Sequence, residues 1–179
     1  MGVCEEKTVW FAMRATYRRE MEAKKLLAAE SIESFVPMRY ILAKNNKKKY
    51  QLVPVIHNLI FVHARPSHIH QIKKGIQFLQ YMVDKRSGQK IIVPDGPMKR
   101  FIAVAGTYHE HLLYFSPEEV NFSKGTKVRI CGGEYEGYEG IFIKVKGARD
   151  KRVVVQVQGV IAVALATIHP DLIEPIIES

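Results

Sequence analysis

The chain is short of several things, and each shortage removes a class of protein. Its 179 residues contain no uninterrupted apolar stretch of 18, so no helical membrane span is expected. Only two cysteines occur, Cys4 and Cys131, with no metal-ligand spacing around them, which excludes a disulfide framework and fits a reducing compartment. Glu5 and Glu6 stand ahead of any apolar core, unlike a secretory signal, and a cytoplasmic location is expected. Acids are scarce, with eight Asp/Glu in the first hundred residues. No carboxylate dyad, nucleophile–base pair or metal-ligating cluster is spaced for chemistry, so neither catalysis nor a cofactor is expected. There is no internal repeat and no low-complexity tract.

Positive charge, by contrast, is plentiful. The formal net charge is +9. Residues 1–120 hold 19 Lys/Arg against 11 Asp/Glu, whereas residues 121–179 hold 8 against 7. The excess therefore belongs to the N-terminal portion, where it favours polyanions, nucleic acid first among them, or an anionic protein surface.

Periodicity divides the chain in the same place. Residues 8–16 read as a strand with Trp10 near its start. Residues 17–30 are rich in helix formers, with Ala23 and Leu27 on one face. Residues 31–43 return to strand character, with Pro37 suited to an edge or bend. Residues 44–49, Lys-Asn-Asn-Lys-Lys-Lys, read as a basic hairpin loop. Strands are expected at 50–55, 59–64, 78–83 and 90–93, with a short helix at 67–74. Asp95, followed by Gly96-Pro97, is placed to start a helix reaching about His109. The order predicts an α+β architecture, an antiparallel sheet with packed helices, over residues 1–115. Residues 116–121 have linker composition. Beyond them short strands at 126–130, 141–145, 152–158, 160–165 and 171–175 predict a small β-barrel over 122–179.

Within that second portion, Val128, Ile130, Ile141, Ile143 and Val145 alternate at period two on either side of Cys131-Gly132-Gly133-Glu134-Tyr135-Glu136-Gly137-Tyr138-Glu139-Gly140. Gly132, Gly133, Gly137 and Gly140 are expected to supply positive φ for a tight reversal. This segment resembles the KOW motif of NusG-type transcription factors and of certain ribosomal proteins. Further matches lie in the N-terminal portion: Trp10-Phe11 with Arg14; Glu20, Ala23 and Leu27; Phe35-Val36-Pro37; Pro54 to Val62; Gly75 to Leu79; Ile91, Val93 and Pro94. Their order resembles the NusG family over residues 8–175, ending at Asp171-Leu172-Ile173-Glu174-Pro175. His57-Asn58 stands where a housekeeping member has proline-glycine, and is similar to specialised RfaH-like paralogues and to those of the capsule-linked UpxY type.

That resemblance implies a factor that makes and breaks no bond. It implies binding to the clamp helices of RNA polymerase through an apolar pocket, here Trp10, Phe11, Ile60, Phe61 and Phe78. It further implies that Arg14, Arg18 and Arg19 face the non-template DNA strand, with Lys47, Lys48 and Lys49 adding phosphate contacts. The C-terminal portion would meet a ribosomal protein or Rho. The implied activity is processive elongation and antitermination on a specialised operon, such as one for polysaccharide. A housekeeping NusG-type role and an RNA-binding ribosomal KOW protein remain alternatives. Plainer readings stand beside each residue: core packing for the aromatics, a solvated tip for Lys44–Lys49, and ion pairing of the arginines with Glu20 or Glu22. His68/His70 and His109/His111 have i, i+2 spacing that no helix face shares, which argues against a metal. Cys131 has no base in its pattern and reads as a packed or turn cysteine.

Overall fold

The structure, a computed structural model, describes residues 6–165 and 168–177. Cys4 lies outside them, as does the side chain of Lys47. In chain order the elements are β1 (Val9–Ala15), α1 (Glu20–Ala29), β2 (Glu33–Phe35), β3 (Met38–Ala43), β4 (Asn46–Pro54), β5 (Leu59–Ala64), α2 (Pro66–Gly75), β6 (Leu79–Tyr81), β7 (Ile92–Val93), α3 (Asp95–Ala105), β8 (Leu113–Phe115), β9 (Thr126–Ile130), β10 (Glu139–Ile143), β11 (Arg152–Val157), β12 (Ile161–Ala164) and β13 (Ile173–Pro175). No described helix is long and apolar enough to cross a membrane. The class is α+β, as the alternation of periods predicts.

The chain divides into two compact units, residues 1–38 with 52–95, and residues 39–51 with 96–179. In the first unit an antiparallel sheet runs β2-β5-β1-β6, with β7 also paired to β1. Its register sets every face. Phe11 lies opposite Val62, Ala12 opposite Phe61 and Met13 opposite Ile60. Because strand side chains alternate, Phe11, Met13, Ile60 and Val62 share one face, and Trp10, Ala12, Arg14 and Phe61 the other. Tyr81, paired with Met13, lies on the Phe11 face, edge-on to the Phe11 ring at 5.4 Å. Lys73 of α2 stands over the Tyr81 ring, so α2 lies on that face too. Phe61 is fully buried, which contributes about 2–3 kcal/mol.

In the second unit six strands form an antiparallel sheet in the order β13-β9-β10-β11-β12-β8. Val154, Ala162, Ala164, Phe115, Val120, Ile143 and Val145 gather in a buried cluster there. β8 precedes the segment expected as linker, yet it pairs with β12 through Phe115–Ala162 and Leu113–Ala164. Within 116–121 the chain makes a 3-10 turn closed by a capping box. The Ser116 amide donates to Glu119 Oε2 at 2.7 Å, and the Glu119 amide is capped in return by the Ser116 side chain.

Several local expectations need correction. The first helix starts at Glu20 rather than 17, because Tyr17 and Arg18 are left-handed, with φ of 60° and 56°. Pro37 splits the strand expected over 31–43 into β2 and β3, and its carbonyl accepts from the Val55 amide. Lysines 47–49 do not form a loop. The turn is confined to Lys44 and Asn45, and β4 already starts at Asn46. α3 ends at Ala105, four residues before His109.

Candidate functional site

The expected apolar pocket is not one surface. Trp10, Phe11, Ile60 and Phe61 are all buried, at 4%, 2%, 0% and 0% exposure. Adjacent strand residues point oppositely, so Phe11 and Ile60 are separated by the sheet from Trp10 and Phe61. Trp10 stacks on His63 with ring centroids 4.6 Å apart and planes 8° apart, and His63 Nδ1 lies 2.8 Å from Glu33 Oε2. Phe78 lies outside the strands and is half-buried, with the Arg19 guanidinium 3.7 Å over its ring. What the register does bring together is Trp10, Phe61 and the exposed Arg14 on one face, Arg14 opposite Gln80 at the far end of β1.

The three arginines differ in freedom. Arg19 is bound twice over: Nε and Nη2 donate to the two carboxylate oxygens of Glu22, each at 2.7 Å, while its plane covers Phe78. The same hydrogen bonding holds the Glu22 carboxyl below its ordinary range. Arg14 and Arg18 are exposed and have no ion-pair partner among the described residues. Arg18 sits in the left-handed turn next to Tyr17, which is 89% exposed.

That turn is built from residues far off in sequence. Asn58, itself at φ 70°, accepts the Arg18 amide on Oδ1 at 2.7 Å and the Ala15 amide on its carbonyl at 2.8 Å. The Asn58 amide donates to Glu20 Oε2 at 3.2 Å, and Glu20 is 2% exposed. His57 Nδ1 approaches Glu20 Oε1 at 3.5 Å. The asparagine expected to stand in for glycine does adopt the glycine conformation, and its side chain makes a bond glycine lacks.

Lys44, Lys48 and Lys49 are exposed along a hairpin whose other exposed side chains include Tyr40, Leu42 and Tyr50. Strand alternation turns Lys48 away from the face of Lys49. A signal missed in the sequence surrounds this hairpin: residues 34–83 contain eight Lys/Arg and no Asp or Glu. The same window carries Lys73, which with Lys90 stands 4.1 Å from the Tyr81 ring centroid. Desolvation, then the charge of Lys90, lowers the Lys73 ammonium below its ordinary value.

In the second unit the glycines do two different jobs. Gly133 and Gly137 have φ of +83° and +84°, as a reversal requires. Gly132 and Gly140 do not adopt positive φ. A Cβ on Gly140 would lie 2.7 Å from the Val154 carbonyl oxygen, so close approach of β11 explains it. Cys131 is exposed, and desolvation followed by the neighbouring Glu174 raises its thiol above the ordinary range. No group of three or more His, Cys, Asp or Glu able to hold a metal occurs among the described residues.

A comparison with curated proteins gave no match. Among solved structures, one of Thermotoga maritima NusG, concerned with its domain interaction, aligns at a TM-score of 0.48 and 19% identity, over 95% of this chain and 98% of that one. The family model for transcription termination factor NusG matches residues 8–102. That span is more than half of the chain, and the protein belongs to the NusG family of transcription factors.

Proposed function

We propose that the chain binds RNA polymerase at the clamp helices and sustains processive elongation, acting as an antiterminator on a specialised operon such as one for polysaccharide. The observation that carries this reading is the face shared by Trp10, Phe61 and Arg14, beside the turn that displays Tyr17 and Arg18. Buried large rings make that part of the sheet a rigid support for an apolar contact. Arg14 at the end of that face and Arg18 in the adjoining turn, neither ion-paired among the described residues, suit the phosphates of the non-template strand. In this reading half-buried Phe78 meets the polymerase directly, and the buried rings of Trp10 and Phe61 support the site from beneath its surface. Phe11 and Ile60 hold the strands from the reverse face.

Arg14 and Arg18 contact nucleic acid directly, whereas Arg19 is committed to Glu22 and Phe78. Lys47, Lys48 and Lys49 add phosphate contacts from the hairpin. Residues 1–115 carry these roles, and the KOW portion, 122–179, meets a ribosomal protein or Rho with its turn at Gly132, Gly133, Gly137 and Gly140. The near-neutral charge of residues 121–179 disfavours the ribosomal RNA-binding alternative. His57-Asn58 favours the specialised over the housekeeping role, since Asn58 supplies an acceptor to the basic turn.

Single-round transcription over a template with a pause site and an intrinsic terminator tests this. The full chain is expected to shorten the pause and raise read-through. Unchanged read-through would overturn the antitermination reading, and increased termination would reverse its sign.

A further inference from the structure

Two successive non-glycine residues in the left-handed region are unusual, because the Cβ of an L-residue crowds the backbone there. Tyr17 (φ 60°, ψ 33°) and Arg18 (φ 56°) hold it nonetheless. Such conformations persist where the surroundings over-determine them, and here the determinants are visible. The Ala15 and Arg18 amides, on either side of Tyr17, both donate to Asn58, one to its carbonyl and one to its side chain. The Thr16 amide donates to the Phe78 carbonyl at 2.9 Å. The far side is fixed by Arg19, paired with Glu22 and laid over Phe78.

Asn58 is in turn held by a buried acid. A carboxylate 2% exposed is costly unless its oxygens are satisfied. Glu20 meets this need with no Lys or Arg among its described partners. One oxygen accepts the Asn58 amide and the other faces His57. Glycine at position 58 would satisfy the positive φ equally well, but it offers no Oδ1 to the Arg18 amide. The asparagine side chain is thus not needed for the bend it occupies. Its side-chain bond among the described residues ends on the basic turn.

We propose that Asn58, seated by Glu20, is a positioning residue: a latch that fixes the left-handed Tyr17–Arg18 turn so that the exposed ring and the free guanidinium meet single-stranded nucleic acid in one preset geometry. The proposal rests on the reading of Arg14 and Arg18 as nucleic-acid contacts. Unlatching the turn leaves the sheet intact and requires the segment to be ordered anew at each binding event, which weakens affinity.

The test uses the full chain, its Asn58→Gly and Arg18→Ala variants and the double variant, with a fluorescent single-stranded oligodeoxynucleotide of about twelve nucleotides as probe. Amide hydrogen exchange at Arg18 reads the latch itself, and a thermal melt checks that the fold is retained. Asn58→Gly is expected to accelerate Arg18 exchange and to weaken probe binding about tenfold, as the loss of preorganisation of a short segment does. In the Arg18→Ala background, which keeps the backbone amide but lacks the guanidinium, the same change is expected to cost much less. That non-additivity marks a residue acting through Arg18. Unchanged Arg18 exchange in Asn58→Gly overturns the latch. So does faster exchange with unchanged binding, or an equal loss in both backgrounds. If the parent chain does not bind the probe, the nucleic-acid reading falls and the role assigned to the latch falls with it. The Arg18 exchange data distinguish that outcome from a failed latch.

Discussion

Arg14 and Arg18 make a quantitative case because their freedom can be set against the engagement of Arg19. Each phosphate neutralised on a single strand releases counterions and steepens the dependence of log K on log salt by about 0.7. Two exposed guanidiniums with no ion-pair partner among the described residues therefore account for a slope of about 1.4. Between about 50 and about 200 mM salt, a fourfold change, that slope corresponds to a factor of about 7 in affinity. The Arg14→Ala/Arg18→Ala double variant should thus lose about sevenfold less affinity over this range than the parent. Arg19→Ala should move the slope far less, because its guanidinium already satisfies Glu22 at 2.7 Å and covers Phe78. Fluorescence anisotropy at four or more salt concentrations reads both numbers. An unchanged slope in the double variant, or an Arg19→Ala effect as large as that of Arg14→Ala, would refute the reasoning.

Other consequences can be checked with the same protein. Gly140→Ala places a methyl 2.7 Å from the Val154 carbonyl oxygen and should cost about 1–3 kcal/mol in urea unfolding. Gly137→Ala meets open space but must hold φ +84°, which should cost about 1–2 kcal/mol. A harmless Gly140→Ala would mean that β10 and β11 are not in this contact. Lys47, Lys48 and Lys49 changed together to Ala should flatten the salt dependence of DNA binding, and an identical slope would leave the hairpin a bystander. The Arg129 hydrogen bond lowers the Glu139 carboxyl below its ordinary 4.5. The stabilisation from that pair is complete above the unfolded value and is lost as pH falls below about 4.5 through the lowered folded value. Arg129→Gln should therefore melt with a shallower acid limb below about pH 4.5, and an unaltered limb would dismiss the pair as a contributor.

Most of the fold was legible because two periods are legible. Ala23 and Leu27 at i, i+4 mark α1, and both are fully buried. The alternation of Val128 and Ile130 marks β9, and Gly159 turns the chain between β11 and β12 with φ +76°. The expectation of a single aromatic pocket overlooked that period, since Trp10 and Phe11 are neighbours on a strand and cannot share a face. The start of α1 was not legible. Residues 17–19 look helical locally, and the contacts that hold the left-handed turn come from far off, among them the Asn58 side chain, 40 residues from Arg18. Gly140 shows the same limit. Its reason is a carbonyl on β11, a tertiary approach with no local signature. Pairing of β8 with β12 was likewise hidden, because Leu113–Phe115 is only three residues long and lies before a proline-acid segment.

As a NusG-family chain, the protein is expected to work on RNA polymerase. The most direct measurement is co-elution of the full chain with purified core RNA polymerase, run beside the Trp10→Ala and Phe61→Ala variants after each is shown to be folded. A stable complex is expected for the parent and a weakened one for both folded variants. No complex with polymerase, together with binding to ribosomal subunits, would contradict it.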